Sequence, residues 1–143
     1  MAHATVKWLS SKTFVGVDST NHSVVLSTKE DGVGVKPSEM LLVALAACTS
    51  GDVVDILGKK RLKLAGLEVR VDGEQDPNPP WMYTKIKVHY KVTGKGLTAK
   101  DVEQAIQLSE EKYCSVAATI KGKAEIITDY EIMKLDQTGE LVI

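Results

Sequence analysis

Aromatic residues are scarce in this sequence, 5% of the chain with a single phenylalanine. Its core has to be built from Val, Ile, Leu and Ala. An excess of charge of one sign is also missing: 18 lysines and arginines stand against 19 acids, a formal net charge of −1. Without a basic surplus there is nothing to hold a phosphate backbone or an anionic lipid surface, so neither nucleic acid nor a membrane is expected as a partner. No apolar run reaches spanning length, and the first residues lack the charged-then-apolar pattern of a signal peptide. The expected address is the cytoplasm. Cysteine is limited to two residues, Cys48 and Cys114. In a reducing compartment these read as buried thiols or as redox groups, not as a structural staple. The 143 residues suffice to bury a core without cross-links. No repeat, low-complexity tract or linker divides them, so one domain over residues 1–143 is expected.

Periodicity supplies the fold class. Ala4, Val6 and Trp8 alternate with Thr5 and Lys7 as a first strand. Thr13 to Asp18 and His22 to Thr28 follow as two more, joined by a turn at Ser19-Thr20-Asn21-His22. From Pro37 to Leu57 the alternation stops. Pro37 suits a first helical turn, Ser38-Glu39 adds a capping group and an acid, and Met40 to Cys48 is entirely apolar or small. A helix apolar on all sides is a buried one. Asp52, Asp55 and its short length argue against a membrane span, and Gly58 with Lys59-Lys60-Arg61 is read as its stop. Alternation returns at Leu67, Val69 and Val71, and most clearly at Ile86, Val88, Tyr90 and Val92. Thr98 with Asp101 opens a second helix from about Ala99 to Tyr113, and Ser115 to Lys121 forms a short third closed by Gly122. A last strand covers Glu125 to Met133, before a tail ending in Leu141-Val142-Ile143. Strands grouped apart from helices predict an α+β fold with antiparallel sheets. The all-apolar helix calls for a second covering layer, most simply the equivalent helix of a twofold partner.

Few residues carry chemistry. Cys48 lies in Leu45-Ala46-Ala47-Cys48-Thr49-Ser50-Gly51, among small neighbours that leave room beside the sulfur. A lone core cysteine is more often a space-filler than a nucleophile. Cys114 shifts that balance by standing at the junction of two helical segments, where backbone N–H groups can support a thiolate. The spacing of 66 residues between the two cysteines is no metal signature. His3, His22 and His89 fall on strands or turns, so a zinc site is not expected. His89 shares a lysine-bearing strand face and reads as a solvated surface residue. Asp52, one helical turn after Cys48, disfavours a thiolate on the same face. Glu39 is nine residues before Cys48 and is equally well explained as an acid at a helix N-terminus. Gly32-Val33-Gly34 lacks the context of a dinucleotide fingerprint, and no other cofactor motif occurs.

The run from Lys36-Pro37-Ser38-Glu39-Met40-Leu41 through Ala46-Ala47-Cys48, with Glu111-Lys112-Tyr113-Cys114-Ser115-Val116 downstream, resembles the OsmC/Ohr family and within it a YhfA-like branch. The resemblance covers nearly the whole chain. It implies an intertwined homodimer with two long central helices side by side and active sites at the subunit interface. It also implies a thiol peroxidase reducing organic hydroperoxides. Cys48 would be the peroxidatic thiol, Cys114 the resolving one, Glu39 an accompanying acid, and an external dithiol the reductant. A non-enzymatic redox sensor or small-molecule-binding dimer on the same scaffold is the alternative. Two positions depart from the peroxidase pattern. The residue directly after the proline is Ser38, not glutamate, which displaces the acid by one residue, about 100° around a helix. The early-loop arginine that pairs with the thiolate is absent, since no arginine precedes Arg61 and the nearest basic residue is Lys12. The missing arginine, with Asp52 on the same helix face as Cys48, implies modest activity that rises with pH through the mildly alkaline range.

Overall fold

The computed structural model describes residues 1–142; Ile143, the end of the apolar tail, lies outside the described residues. The backbone divides into two compact units, Met1–Leu41 and the remainder from Leu42.

The first unit is the expected meander: β1 (Ala4–Ser10), β2 (Thr13–Asp18) and β3 (Ser23–Ser27), antiparallel and in that order. Two aspartates hold its turns. Asp31 accepts hydrogen bonds from the Lys12 N–H at 2.8 Å, the Thr13 hydroxyl at 2.9 Å and the Ser11 hydroxyl at 3.3 Å. These donors hold its carboxyl below the usual carboxylate range. Asp18 does the same for Thr20 and His22, around an Asn21 in the left-handed region at φ 63°. Gly34 is a glycine by necessity: a Cβ there would lie 2.7 Å from the Val25 backbone. All seven β1 residues are solvent-exposed, Trp8 and Val6 included.

Helix α1 (Pro37–Lys59) is 23 residues long. By length and composition it could cross a membrane, which corrects the reading that no segment is long enough. Its all-apolar character does not mean that one chain buries it all round. Only the stripe Leu45, Thr49, Val53 and Leu57, spaced by four, is buried, while Val43 and Val54 are about half exposed at 48% and 46%. The stop is also not where the glycine suggested. Gly58 is helical, and the left-handed residue is Arg61 at φ 59°. The Leu62 N–H donates to the Leu57 carbonyl and the Arg61 N–H to that of Gly58, a Schellman closure with Leu62 folded onto the core.

From Leu42 on, a three-stranded sheet of order β4-β5-β6 is built from β4 (Lys63–Gln75), β5 (Tyr83–Lys95) and β6 (Glu125–Lys134). Ile86, Val88, Tyr90 and Val92 of β5 are at most 1% exposed and form the core with the α1 stripe and with Val102, Ala105 and Ile106 of α2 (Ala99–Leu108). Thr98 caps α2, accepting from the Asp101 N–H, and Lys60 reaches Asp101 at 2.9 Å. The expectation of antiparallel sheets holds for the first sheet and for β4–β5, but β6 runs parallel to β5, so this sheet is mixed. The physical reason is the connection: a helical crossover between them returns the chain to the same end of the sheet. The second helix is also shorter than expected. It gives way at Ser109 to a π-helical turn (Ser109–Tyr113), followed by α3 (Ser115–Ile120).

Arg61 occupies a conformation that costs a side-chain-bearing residue roughly 1–2 kcal/mol. Arg61→Gly is therefore expected to raise unfolding stability by roughly 0.5–1 kcal/mol, the steric gain less glycine's extra unfolded-state freedom. Urea melts of the two proteins check this; a loss of stability would mean that the Arg61 side chain contributes more than its backbone costs.

Candidate functional site

Cys48 is carried one residue before Thr49 of the buried α1 stripe, so its thiol packs against the core without being sealed in. Cys114 is placed by the π turn. The Cys114 N–H donates to the Ser109 carbonyl at 2.8 Å, five residues back, which widens the last turn and ends it. Cys114 then turns extended at φ −77°, ψ 101° and becomes the N-cap of α3, its Sγ accepting from the Ala117 N–H at 3.3 Å. The junction expected at Cys114 is thus present. The two sulfurs and a carboxylate oxygen of Asp52 all lie within 4.8 Å of one another.

A buried chain of hydroxyls ends on that carboxylate. Ser109 donates to Asp52 Oδ2 at 2.7 Å, Thr49 Oγ1 lies 2.9 Å from Ser109 Oγ, and Tyr90 OH lies 2.6 Å from Thr49 Oγ1. Each hydroxyl has one proton. With the carboxylate accepting at one end, Ser109 must accept from Thr49 and Thr49 from Tyr90, so the donors all point toward Asp52. Tyr90, Thr49 and Ser109 are 0–2% exposed. Burial pushes the Tyr90 phenol up to about 12, against the opposing hydrogen bond to Thr49, so it remains a donor at neutral pH. Burial likewise pushes the Cys114 thiol up to about 11, reinforced by neighbouring Cys48 and opposed by the Ala117 and Val116 N–H groups. Cys114 is therefore a thiol at neutral pH.

The other candidates stand elsewhere. Glu39 is in the first turn of α1, its side chain 62% exposed and 3.9 Å from Lys36. His89 is on the exposed face of β5, as its lysine-bearing strand suggested. It is gripped there by Asp129 at 2.7 Å and Glu131 at 3.2 Å, which raise its pKa. Sequence reasoning missed this grip because both acids come from the parallel neighbour β6. It also missed Thr49, Tyr90 and Ser109 as site residues. The available signal was a threonine on a helix stripe otherwise made of Leu and Val.

A protein-family model described as OsmC-like protein matches residues 29–129. The chain belongs to the OsmC/Ohr family. It is 35% identical over 130 residues to Protein YhfA of Escherichia coli strain K12, covering 91% of this chain and 97% of that one. A solved structure of a hypothetical protein from Aquifex aeolicus VF5 is similar at 29% identity and a TM-score of 0.86, over 95% of this chain and 98% of that one. The organic hydroperoxide resistance protein OhrB of Bacillus subtilis shares the fold at 14% identity and a TM-score of 0.61, over 92% and 98% of the two chains. Cys48, Asp52, Tyr90, Ser109 and Cys114 all fall within the span matched by the OsmC-like model.

In this OsmC/Ohr chain the hydroxyl relay is buried, so breaking it exposes its members to unmet hydrogen-bonding demand. Thr49→Val keeps the shape, strands the Tyr90 hydroxyl and takes a donor from Ser109. It is expected to lower unfolding stability by about 1–3 kcal/mol in a denaturant titration. An unchanged midpoint would show that water replaces the threonine.

Proposed function

We propose that this chain is a thiol peroxidase for organic hydroperoxides, acting as a homodimer. The observation that carries the reading is the convergence of Cys48 and Cys114 from elements 66 residues apart. The name of OhrB, an organic hydroperoxide resistance protein on the same fold, supports it. In the first step the Cys48 thiolate attacks the peroxide O–O bond. The S–O bond forms, the O–O bond breaks, and the departing alkoxide takes a proton to leave as alcohol, with Cys48 oxidised to a sulfenic acid. Cys114 then attacks that sulfur. The S–S bond forms, and the hydroxide leaves as water with the Cys114 proton. An external dithiol reduces the pair by two exchanges, becoming a disulfide itself. Cys114 suits the second role: as a buried thiol it does not compete for peroxide, and its site needs only one small neighbour as a target. Glu39 is assigned the least share, as an exposed acid of the α1 first turn.

Asp52 sets the rate. A carboxylate beside the sulfurs opposes the build-up of negative charge there, and none of the ion pairs among the described residues involves Asp52. This favours, as a second reading, a redox sensor that is oxidised and reset slowly. Catalytic turnover separates the two.

The homodimer reading rests on the open face of α1. Val43, Ala47, Gly51 and Val54 form an exposed row of small apolar residues, suited to close approach by the same helix of a second copy. Light scattering at micromolar concentration should return twice the chain mass of 15.5 kDa, and Val54→Asp should shift it toward the monomer. A wild-type monomer would remove this part of the proposal.

For the chemistry, steady consumption of an alkyl hydroperoxide with dihydrolipoamide is expected for the wild type, and only background for Cys48→Ser. Without the dithiol, Cys114→Ser should consume about one equivalent and stop at a dimedone-reactive sulfenic acid. Asp52→Asn should speed Cys48 oxidation about tenfold, since repulsion between unit charges ~5 Å apart amounts to roughly 1–3 kcal/mol in a partly solvated site. Equal activity in wild type and Cys48→Ser would end the peroxidase reading.

A further inference from the structure

We propose that Cys48, Cys114 and Asp52 form a three-ligand site for a soft divalent cation of the zinc type. The linear spacing of the cysteines carries no metal signature, which is why the sequence argued against zinc. The fold nonetheless brings two sulfurs and a carboxylate oxygen within 4.8 Å of one another. Tetrahedral zinc, with bonds of about 2.3 Å to sulfur and 2.0–2.2 Å to oxygen, needs donors roughly 3.5–3.8 Å apart. Small side-chain rotations span that difference. Two thiolates with a carboxylate suit zinc and disfavour magnesium or calcium, which take oxygen donors.

Three further features fit. The carboxylate is held by a donor, as metal-binding carboxylates commonly are: Ser109 donates to Asp52 Oδ2 at 2.7 Å, backed by Thr49 and Tyr90. The three ligand groups are all anionic once deprotonated. None of the principal influences on Cys114 is a cation, and no ion pair among the described residues reaches Asp52. A divalent ion supplies the missing positive charge. Cys48 is only partly buried, which gives an approach path and leaves a fourth position for water. The two thiols each lose a proton on binding, Asp52 binds as the carboxylate, and nothing is oxidised or reduced. Metal and hydroperoxide would then compete for the same sulfur, but the site requires no peroxidase activity.

The test is an anaerobic titration of the fully reduced protein with Co2+ and then Zn2+. A thiolate-to-cobalt charge-transfer absorption should saturate at about one ion per chain and be displaced by zinc, with about two protons released per ion. Cys48→Ser and Cys114→Ser should lose the band. Asp52→Asn should weaken binding at least tenfold, and Ser109→Ala about 10–100-fold. Circular dichroism confirms that each variant is folded, and wild-type protein blocked with iodoacetamide gives a control needing no substitution. Absence of the band in reduced wild type would overturn the site. So would a band that survives iodoacetamide, or an affinity unchanged in folded Asp52→Asn. Hydroperoxide turnover measured with a chelator present is unaffected by any of these outcomes, so failure of the metal site and failure of the peroxidase reading are told apart.

Discussion

The hydroxyl chain Tyr90–Thr49–Ser109–Asp52 is the constraint on which the site depends. Its members come from β5, α1 and the end of α2, and its only ionised member is Asp52 at the end. A buried hydroxyl left without a partner is costly, so each link fixes the rotation of the element that carries it. Thr49 fixes the phase of α1 against β5, and with it the direction of Cys48, one residue away. Ser109 fixes the point at which α2 meets α1. A core of Leu and Val would have packed these elements with more freedom to slide.

The π turn follows from the same anchor. Ser109 is 0% exposed and bonded to Thr49 and Asp52, so the chain cannot rotate it outward to keep the helix regular. The Cys114 N–H meets the Ser109 carbonyl across five residues, a wider closure than an α-helix makes. That closure swings Cys114 inward, to 2% exposure, and starts α3 from its sulfur. A regular continuation of α2 would have put residue 114 about 100° away for each residue of registry lost. The irregular turn is therefore the device that brings the second thiol to the first.

Much of the fold was legible because it rests on local patterns. The alternation at Ile86 to Val92, the Thr98 cap and the positive-φ Gly122 each declare themselves within a few residues. What was illegible depends on partners distant in sequence. Nothing local says that β6 lies parallel to β5, and so nothing predicts Asp129 and Glu131 around His89. The misplaced helix stop is instructive: Gly58 has the right residue type, but Leu62 is the apolar residue that can fold back onto Leu57, and this puts Arg61 in the left-handed position. Of the site, Cys48 and Cys114 could be named from the chain, and family resemblance rather than spacing paired them. Thr49, Tyr90 and Ser109 read as ordinary helix and strand residues until the fold joins them.

Charge decides how the site behaves. Two sulfurs and a carboxylate share one small volume, and burial already holds one sulfur as a neutral thiol. Asp52 accepts the Ser109 hydrogen bond in that volume. A thiolate formed on Cys48 would stand within 4.8 Å of its carboxylate, and the two like charges would repel. Three changes would relieve that repulsion: covalent oxidation of Cys48, which removes the thiolate; disulfide formation, which removes both ionisable groups; and a divalent cation, which offsets two of the three negative charges. No ion pair among the described residues reaches Asp52, so the state of this cluster would depend on what arrives from solution.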